Sequence, residues 1–124
     1  MARARAALDR LGIGYLADQV VDGMTLEAQR LTELARAIVS EPAVLLADEP
    51  ASGLSAAQRS VLAEALTTIS AERAVVVVEH DLDLLTSISE HMWAMVEGRL
   101  AYSGDVASFR SSPVFASLRG IEQG

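Results

Sequence analysis

The spacing of apolar residues predicts two long helices in the first two thirds of the chain. Thr25 can cap the first, which should run to about Val39 before Glu41-Pro42 stops it, and its apolar face comprises Leu26, Leu31, Leu34, Ala35 and Ile38. Ser55 can cap the second, from Ala56 to about Ser70, whose inward stripe comprises Val61, Leu62, Ala65, Leu66 and Ile69. A short Ala- and Arg-rich helix over Ala2 to Leu11 precedes both, and a turn at Gly12-Ile13-Gly14 ends it.

Two short apolar runs predict strands of a different period. Ala43 to Ala47 is bounded by prolines, and we expect a strand buried on both faces. Ala74 to Glu79 is the most β-branched run and predicts the clearest buried strand. Since a helix lies between them, the two strands are expected to pair in parallel through a right-handed crossover, which makes the fold class α/β.

The last third of the chain predicts a hairpin between helices. A short helix is expected over Leu82 to Ser89, and "MWAMVEGRLAYSG" reads as two strands about a Glu97-Gly98 turn. Met92, Trp93 and Met95 are predicted to pack in this hairpin. The tail from Asp105 to Leu118 is expected to be weakly helical, with an interruption at Pro113.

Composition narrows the class of protein. With 124 residues, 51% of them hydrophobic, the chain predicts one compact domain. A net charge of −7 with no lysine argues against nucleic acid as the main partner, because phosphate backbones are bound by clustered Lys and Arg. The absence of cysteine removes disulfides and thiolate sites. No apolar run has the length of a signal peptide or a membrane span, so we expect a protein soluble by itself.

Polar residues follow both predicted strands directly. Asp48 and Glu49 end the first strand, and His80 follows the second. Parallel sheets collect ligands beyond the carboxyl ends of their strands, and two carboxylates with an imidazole suit a Mg²⁺ ion, a polarised water and a phosphate. The alternative is that Asp48 and Glu49 begin a solvated turn while His80 caps the next helix, and residue types alone leave both open.

These segments resemble the motifs of ATP-binding cassette (ABC) ATPases. "LLADEPASGL" is similar to the Walker B segment and D-loop, "VVVVEHD" to the switch-histidine strand, and "TLEAQRLTELARAI" to the signature helix. Their order agrees with that family. "EPAVLLADEPASGL", "VEHDLDLL" and the tail "GRLAYSGDVASFRSSPVFASLRG" are most similar to the ATPases that import branched-chain (hydrophobic) amino acids. The resemblance covers nearly all of the chain and implies a partial P-loop NTPase domain with parallel strands, flanking helices and a C-terminal β-hairpin.

The resemblance also implies roles for individual residues. Asp48 would help to hold Mg²⁺, Glu49 would polarise the attacking water, and His80 would contact the γ-phosphate of ATP. The signature residues Thr25 and Gln29 would close over ATP bound by a second cassette. The D-loop residues, Ser52 to Ser55, would communicate between the two cassettes, so Ser52 and Ser55 count as nucleotide-site residues.

Two departures from the family pattern qualify that reading. The Walker A loop ends in a Lys, so a chain without lysine has none, and the Q-loop and first strands are absent as well. The chain therefore resembles the C-terminal half of a cassette, either a fragment of a longer protein or a truncated gene product. Residues 1–40 would be part of the helical subdomain and residues 41–124 the C-terminal part of the ATPase core. In the signature, Glu27 stands where the family has a glycine.

Two functions follow as hypotheses. The first is an ATP-hydrolysing module that drives solute import, with the missing N-terminal half, a second cassette and transmembrane permease subunits as partners and no nucleic acid. Its location would be cytoplasmic, peripheral to the inner (plasma) membrane, and the chain alone is not expected to hydrolyse ATP. The alternative is a non-catalytic interaction module derived from a degenerate cassette. Because a half-cassette leaves one edge and one face of its sheet bare, the isolated chain is expected to associate.

Overall fold

The computed structural model describes residues 1–122, which divide into two compact units, Met1–Glu79 and a second unit that begins at His80. The length and composition predicted one compact domain, whereas the structure has these two units. The helices are α1 (Ala2–Arg10), α2 (Leu26–Ile38), α3 (Ala56–Ser70), α4 (Leu82–Ile88), α5 (Val106–Arg110) and α6 (Pro113–Glu122). The strands are β1 (Val44–Asp48), β2 (Ala74–Val78), β3 (His91–Val96) and β4 (Arg99–Asp105).

The first unit is built around a parallel pair of strands. β1 and β2 run in register from Val44 opposite Ala74 to Asp48 opposite Val78, with α3 between them in the chain. A parallel pair needs a crossover connection, and the amphipathic α3 supplies it. The predicted α/β class is therefore confirmed, and both strands end at the same edge.

The core of the first unit comes mainly from α2 and α3. The buried side chains on these two helices are Ala28, Leu31, Leu34, Ala35, Ile38, Leu62, Ala65, Leu66 and Ile69. Two predicted core residues are exposed instead, Leu26 and Val61. Val61 lies about 100° around the helix from Leu62, which takes it off the buried stripe. Leu26 is the first residue of α2, where the helix end is open to solvent.

The prediction that β1 is buried on both faces is wrong. Leu45 and Ala47 are buried, whereas Val44 is exposed and Leu46 is 75% exposed. β2, predicted as the clearest buried strand, is at most partly buried along its whole length. The reason is that β1 and β2 form a two-stranded sheet, and the rest of Met1–Glu79 leaves its second face exposed.

The second unit contains the predicted hairpin. β3 and β4 pair antiparallel around Glu97 and Gly98, whose φ angles of 48° and 75° are both positive. Two central residues with positive φ define the type I′ turn, whose twist matches that of paired strands. A register irregularity lies between Ala94 and Met95. The hairpin prediction is confirmed.

One face of this hairpin is bare, which corrects the predicted packing. Met92 and Ala94 are buried, but Trp93 is 61% exposed and Met95 is exposed beside it. The alternation expected of a strand is therefore present, because neighbouring side chains point to opposite faces. Only Met92 of the three predicted packing residues faces the interior.

The tail is helical with a break just before Pro113, as predicted, and its two parts are α5 and α6. Pro113 begins α6, a position that suits proline because the first helical N–H needs no partner within the helix. Phe109 of α5 is fully buried, and the rings of Tyr102 and Phe115 lie 5.1 Å and 5.4 Å from it. This aromatic cluster packs α5 and α6 against β4.

Candidate functional site

Two adjacent carboxylates lie at the carboxyl end of β1. Asp48 is the last residue of the strand and pairs with Val78, the last residue of β2. Glu49 continues the pairing by one bond, since its N–H donates to the Val78 carbonyl at 2.8 Å. Both acidic residues are exposed. The local arrangement thus presents two carboxylates to solvent from a backbone that the sheet holds.

The chain then turns sharply, in a segment that we name the post-strand turn (residues 49–54). Glu49 has a φ of 45°, an uncommon value for a residue with a side chain, and Gly53 has a φ of 79°. Within the turn the Ser52 N–H donates to the Glu49 carbonyl at 3.2 Å, and the Leu54 N–H donates to the Ala51 carbonyl at 3.1 Å. Ser52, predicted as a D-loop residue, is exposed on this turn.

Ser55 ends the turn and begins α3. Its hydroxyl accepts a hydrogen bond from the Gln58 N–H at 3.3 Å, and its own N–H donates to the Gln58 side chain at 2.8 Å. This reciprocal pair is a capping box, which satisfies two backbone N–H groups at the helix start. The predicted cap is confirmed, and one acceptor site of the Ser55 hydroxyl is used in the helix.

Two side chains from other elements hold the post-strand turn. Glu79, directly after β2, accepts a hydrogen bond from the Ala51 N–H at 2.7 Å. Arg59 on α3 donates from Nε to the Leu54 carbonyl at 3.1 Å. The sequence reading did not single out either residue. Glu79 comes directly after Val78, which pairs with Asp48, so the strand register brings Glu79 close to the turn. That register is known only once β1 and β2 are paired, so the sequence alone could not identify Glu79.

The signature-like segment lies at the start of α2. Thr25 is the N-cap, and its hydroxyl accepts from the Ala28 N–H at 3.2 Å. The amide of Gln29 donates back to the Met24 carbonyl at 3.1 Å, and Glu27 is half-buried in the first turn. The Thr25 cap is confirmed. A contact of Thr25 or Gln29 with a nucleotide stays a prediction.

His80 belongs to the second unit, and its proximity to Asp48 and Glu49 stays a prediction. The side chain is exposed. The cap of α4 is not His80 but Asp81, whose carboxylate accepts from the Leu84 N–H at 2.9 Å. The alternative reading of His80 as a helix cap is therefore wrong.

The donor set fits a magnesium ion that is held only in part by protein. Within residues 1–122 no group of three or more His, Cys, Asp or Glu side chains is placed to hold a metal. Mg²⁺ commonly takes one or two carboxylates and completes its octahedron with water and substrate phosphates. The exposed Asp48 suits that kind of binding.

Among the helices within residues 1–122, none has the length and apolar character of a membrane-spanning segment.

Known proteins with similar sequences are ATP-binding subunits of importers. The zinc import ATP-binding protein ZnuC of Halorhodospira halophila is 33% identical over 99% of this chain and 48% of its own length. The aliphatic sulfonates import ATP-binding protein SsuB 2 of Paracoccus denitrificans is 39% identical over 95% and 51%. The high-affinity branched-chain amino acid transport ATP-binding protein LivG of Escherichia coli is 28% identical over 90% and 44%. No protein-family model matches the chain.

Solved structures share the fold. The ADP conformation of MJ1267, an ATP-binding cassette of an ABC transporter, superposes with a TM-score of 0.83 over 95% of this chain and 48% of that one, at 20% identity. A putative metal-chelate type ABC transporter in an inward-facing conformation gives 0.84 over 96% and 48%, at 24% identity. The predicted partial ABC ATPase fold is confirmed.

The names of these relatives refer to different solutes, namely zinc, sulfonates and branched-chain amino acids. The comparisons therefore do not confirm a specific likeness to the ATPases that import branched-chain amino acids. The chain spans about half the length of the curated relatives that it matches. In sequence and in fold, this chain is similar to ABC transporter ATP-binding subunits over about half of their length.

Proposed function

We propose that this chain is the C-terminal half of an ATP-hydrolysing cassette that couples ATP hydrolysis to solute import. The observation that carries the proposal is the exposed pair Asp48 and Glu49 at the carboxyl end of β1, in a chain related to import ATP-binding proteins. An edge of this kind is where parallel sheets bind ligands. Phosphoryl transfer needs positioned charges there more than covalent chemistry.

Each acidic residue has a separate role in this proposal. Asp48 helps to hold the Mg²⁺ that neutralises the phosphates of ATP. Glu49, one residue further, orients and polarises the attacking water. His80 contacts the γ-phosphate. The exposure of Asp48 and Glu49 supports these roles, because both carboxylates are accessible to a ligand from solvent.

The signature and D-loop residues act on ATP across two cassettes. Thr25 uses one acceptor site of its hydroxyl in the helix cap, and a hydroxyl also carries a donor that suits a phosphate oxygen. The Gln29 side chain donates a hydrogen bond to the Met24 carbonyl and so fixes the backbone just before α2. Ser52 is exposed and Ser55 fixes the end of the turn, which suits a D-loop that faces a second cassette.

The proposed partners follow from what half a cassette lacks. ATP and Mg²⁺ would be bound only when an N-terminal half supplies a phosphate-binding loop, and solute transport would need a second cassette and transmembrane permease subunits. The place of work would be the cytoplasmic side of the inner membrane. Amino acids are the solute that the motif resemblance favours.

Calorimetric titration with MgATP tests the first part of the proposal. The chain by itself is expected to give no measurable binding at micromolar nucleotide, since most phosphate contacts come from the phosphate-binding loop. Micromolar binding by the chain alone would contradict the claim that the site is incomplete.

The catalytic role is tested by reconstitution. A cassette completed with an N-terminal half that carries a Walker A loop is expected to hydrolyse ATP, and Glu49→Gln is expected to lower the turnover at least about a hundredfold. Glu64→Gln, on the exposed side of α3, removes the same charge away from the site and serves as the matched control. Unchanged turnover in Glu49→Gln would exclude Glu49 as the group that activates water.

A second candidate function is a non-catalytic interaction module, and Glu27 favours it. In the family that the motifs resemble, a glycine at this position would present its N–H to the γ-phosphate. A carboxylate about 5 Å from one phosphate charge would cost on the order of 3 kcal/mol at an effective dielectric constant of about 20. In the reconstituted cassette, Glu27→Gly is expected to raise ATP affinity if this repulsion operates. Absence of hydrolysis in both the original and the Glu27→Gly proteins would favour the interaction module.

A further inference from the structure

We propose that Glu79 is a positioning residue that fixes the post-strand turn and thereby the backbone of Glu49. The inference deepens the proposed function and rests on it for the roles of Glu49 and the D-loop. It stands on one contact, the hydrogen bond from the Ala51 N–H to the Glu79 carboxylate at 2.7 Å. Neither the motif pattern nor the relatives assign a role to this residue.

The contact lies where the sheet stops providing acceptors. The ladder between β1 and β2 ends at Asp48 and Val78, and the last backbone bond runs from the Glu49 N–H to the Val78 carbonyl. Beyond it the chain turns away, and Ala51 is only 3% exposed. A buried N–H without an acceptor is costly, so the Glu79 carboxylate takes the place of the next ladder carbonyl.

The charge on Glu79 makes this bond stronger than a ladder bond. A hydrogen bond from an N–H to an ionised carboxylate is shorter and roughly twice as strong as one between neutral groups. At its far end the same turn is held by Arg59, which donates to the Leu54 carbonyl at 3.1 Å. The segment from Ala51 to Leu54 is therefore fixed at both ends by charged side chains, one from the end of β2 and one from α3.

Fixing the turn matters because Glu49 has a left-handed backbone. Its φ of 45° is unfavourable for a residue with a Cβ, and such conformations persist only where the surroundings enforce them. The Ala51 bond acts two residues further along and opposes relaxation of that backbone. Loss of the bond would let Glu49 relax and would redirect its carboxylate.

Amide hydrogen exchange at Ala51 tests the contact in the chain as it exists. Glu79→Ala is expected to speed exchange of the Ala51 N–H about tenfold or more. Glu79→Gln keeps the length and a neutral acceptor and is expected to speed it about threefold. Exchange at Leu66, in the buried stripe of α3, should not change, and Glu64→Ala serves as the matched control. Ala51 exchange as slow in both Glu79 variants as in the parent chain would overturn the proposal.

The Gln variant keeps the test valid if Glu79→Ala fails to fold. In the reconstituted cassette, Glu79→Gln is expected to lower kcat severalfold while KM for ATP changes less than twofold, because the residue positions Glu49 and does not bind nucleotide. An unchanged kcat alongside an inactive Glu49→Gln would overturn the positioning role and leave the proposed function standing. Fast exchange of the Ala51 N–H in Glu79→Ala would support the contact. If no completed cassette hydrolysed ATP as well, the contact would stand and the proposed function would be contradicted.

Discussion

Gly53 of the post-strand turn lies directly against Leu26 at the start of α2. A Cβ built on Gly53 would stand 2.9 Å from Cδ2 of Leu26, closer than carbon atoms pack. Gly53 also has a φ of 79°, in the left-handed region that favours glycine. The turn after β1 is therefore packed against the start of the signature-like helix, and a side chain at Gly53 would have to displace that of Leu26.

Gly53→Ala is expected to lower the free energy of unfolding by about 1–2 kcal/mol. Roughly 1 kcal/mol comes from the positive φ and the remainder from displacement of the Leu26 side chain. Gly12→Ala is the matched control, because Gly12 has a φ of 73° and open space where its Cβ would stand. Urea denaturation of both variants gives the difference.

The Leu26 share of that cost is measured with a double-mutant cycle. If the contact operates, Gly53→Ala should be less destabilising in a Leu26→Ala background than in the parent chain. Equal costs in the two backgrounds would show that backbone conformation accounts for the whole effect.

Ser55→Ala is expected to lower the free energy of unfolding by about 1 kcal/mol. The change removes the acceptor for the Gln58 N–H and with it one half of the capping box. Ser55→Asp, which keeps an acceptor at the N-cap, should restore most of the loss. Ser60→Ala is the control, since the Ser60 hydroxyl donates to the Ala56 carbonyl within α3, and it should change stability by less than about 0.5 kcal/mol.

Asp105 is expected to make the second unit sensitive to acid. It caps α5, and the hydrogen bond from the Ser108 N–H, followed by the bond from the Ser108 hydroxyl, lowers the pKa of its carboxyl below the ordinary value. A lowered folded pKa means that the ionised form stabilises the fold. That contribution is complete above the unfolded pKa of about 3.9 and is lost as the pH falls through the folded value.

An NMR titration of the Asp105 carboxyl measures this effect. In Ser108→Ala the hydroxyl bond is lost and the N–H bond remains, so the pKa should rise part of the way towards its ordinary value. An ordinary pKa in the parent chain would mean that the cap contributes nothing to the acid response.

The bare face of the β1–β2 sheet is expected to drive association of the isolated chain. Val44, Leu46 and Val78 are exposed there, and register places them on one face. Leu46→Ser should weaken self-association about tenfold or more, because a buried leucine side chain contributes about 1.5–3 kcal/mol. Val20→Ser, also at an exposed apolar residue, should leave association unchanged. Sedimentation velocity across a concentration series measures both, and a parent chain that stays monomeric throughout would contradict the expectation.

The elements of this fold were predictable from local pattern. The face of α2, the cap at Ser55 and the Glu97-Gly98 turn each follow from a few neighbouring residues, because helix period, cap chemistry and positive φ are properties of short segments. The acidic pair after β1 was predictable for the same reason. Strand identity and order then indicated the parallel sheet.

Burial was decided by tertiary structure. Leu46, Val61 and Trp93 are apolar residues in strands or helices, and their own segments predicted them as interior. Whether an apolar side chain is covered depends on what other segments place over it, and no local period contains that information. Leu46 is exposed because the rest of Met1–Glu79 does not cover the second face of the sheet.

The support of the candidate site was decided in the same way. By itself the sequence determined which residues are acidic at the end of β1 and that a turn must follow. The contact of Glu79 with Ala51 joins residues 28 positions apart, and that of Gly53 with Leu26 joins α2 to the turn. The Glu79 contact exists only after β1 and β2 have paired in one register, and the Gly53 contact only after α2 has packed against the turn, so neither is a property of one short segment.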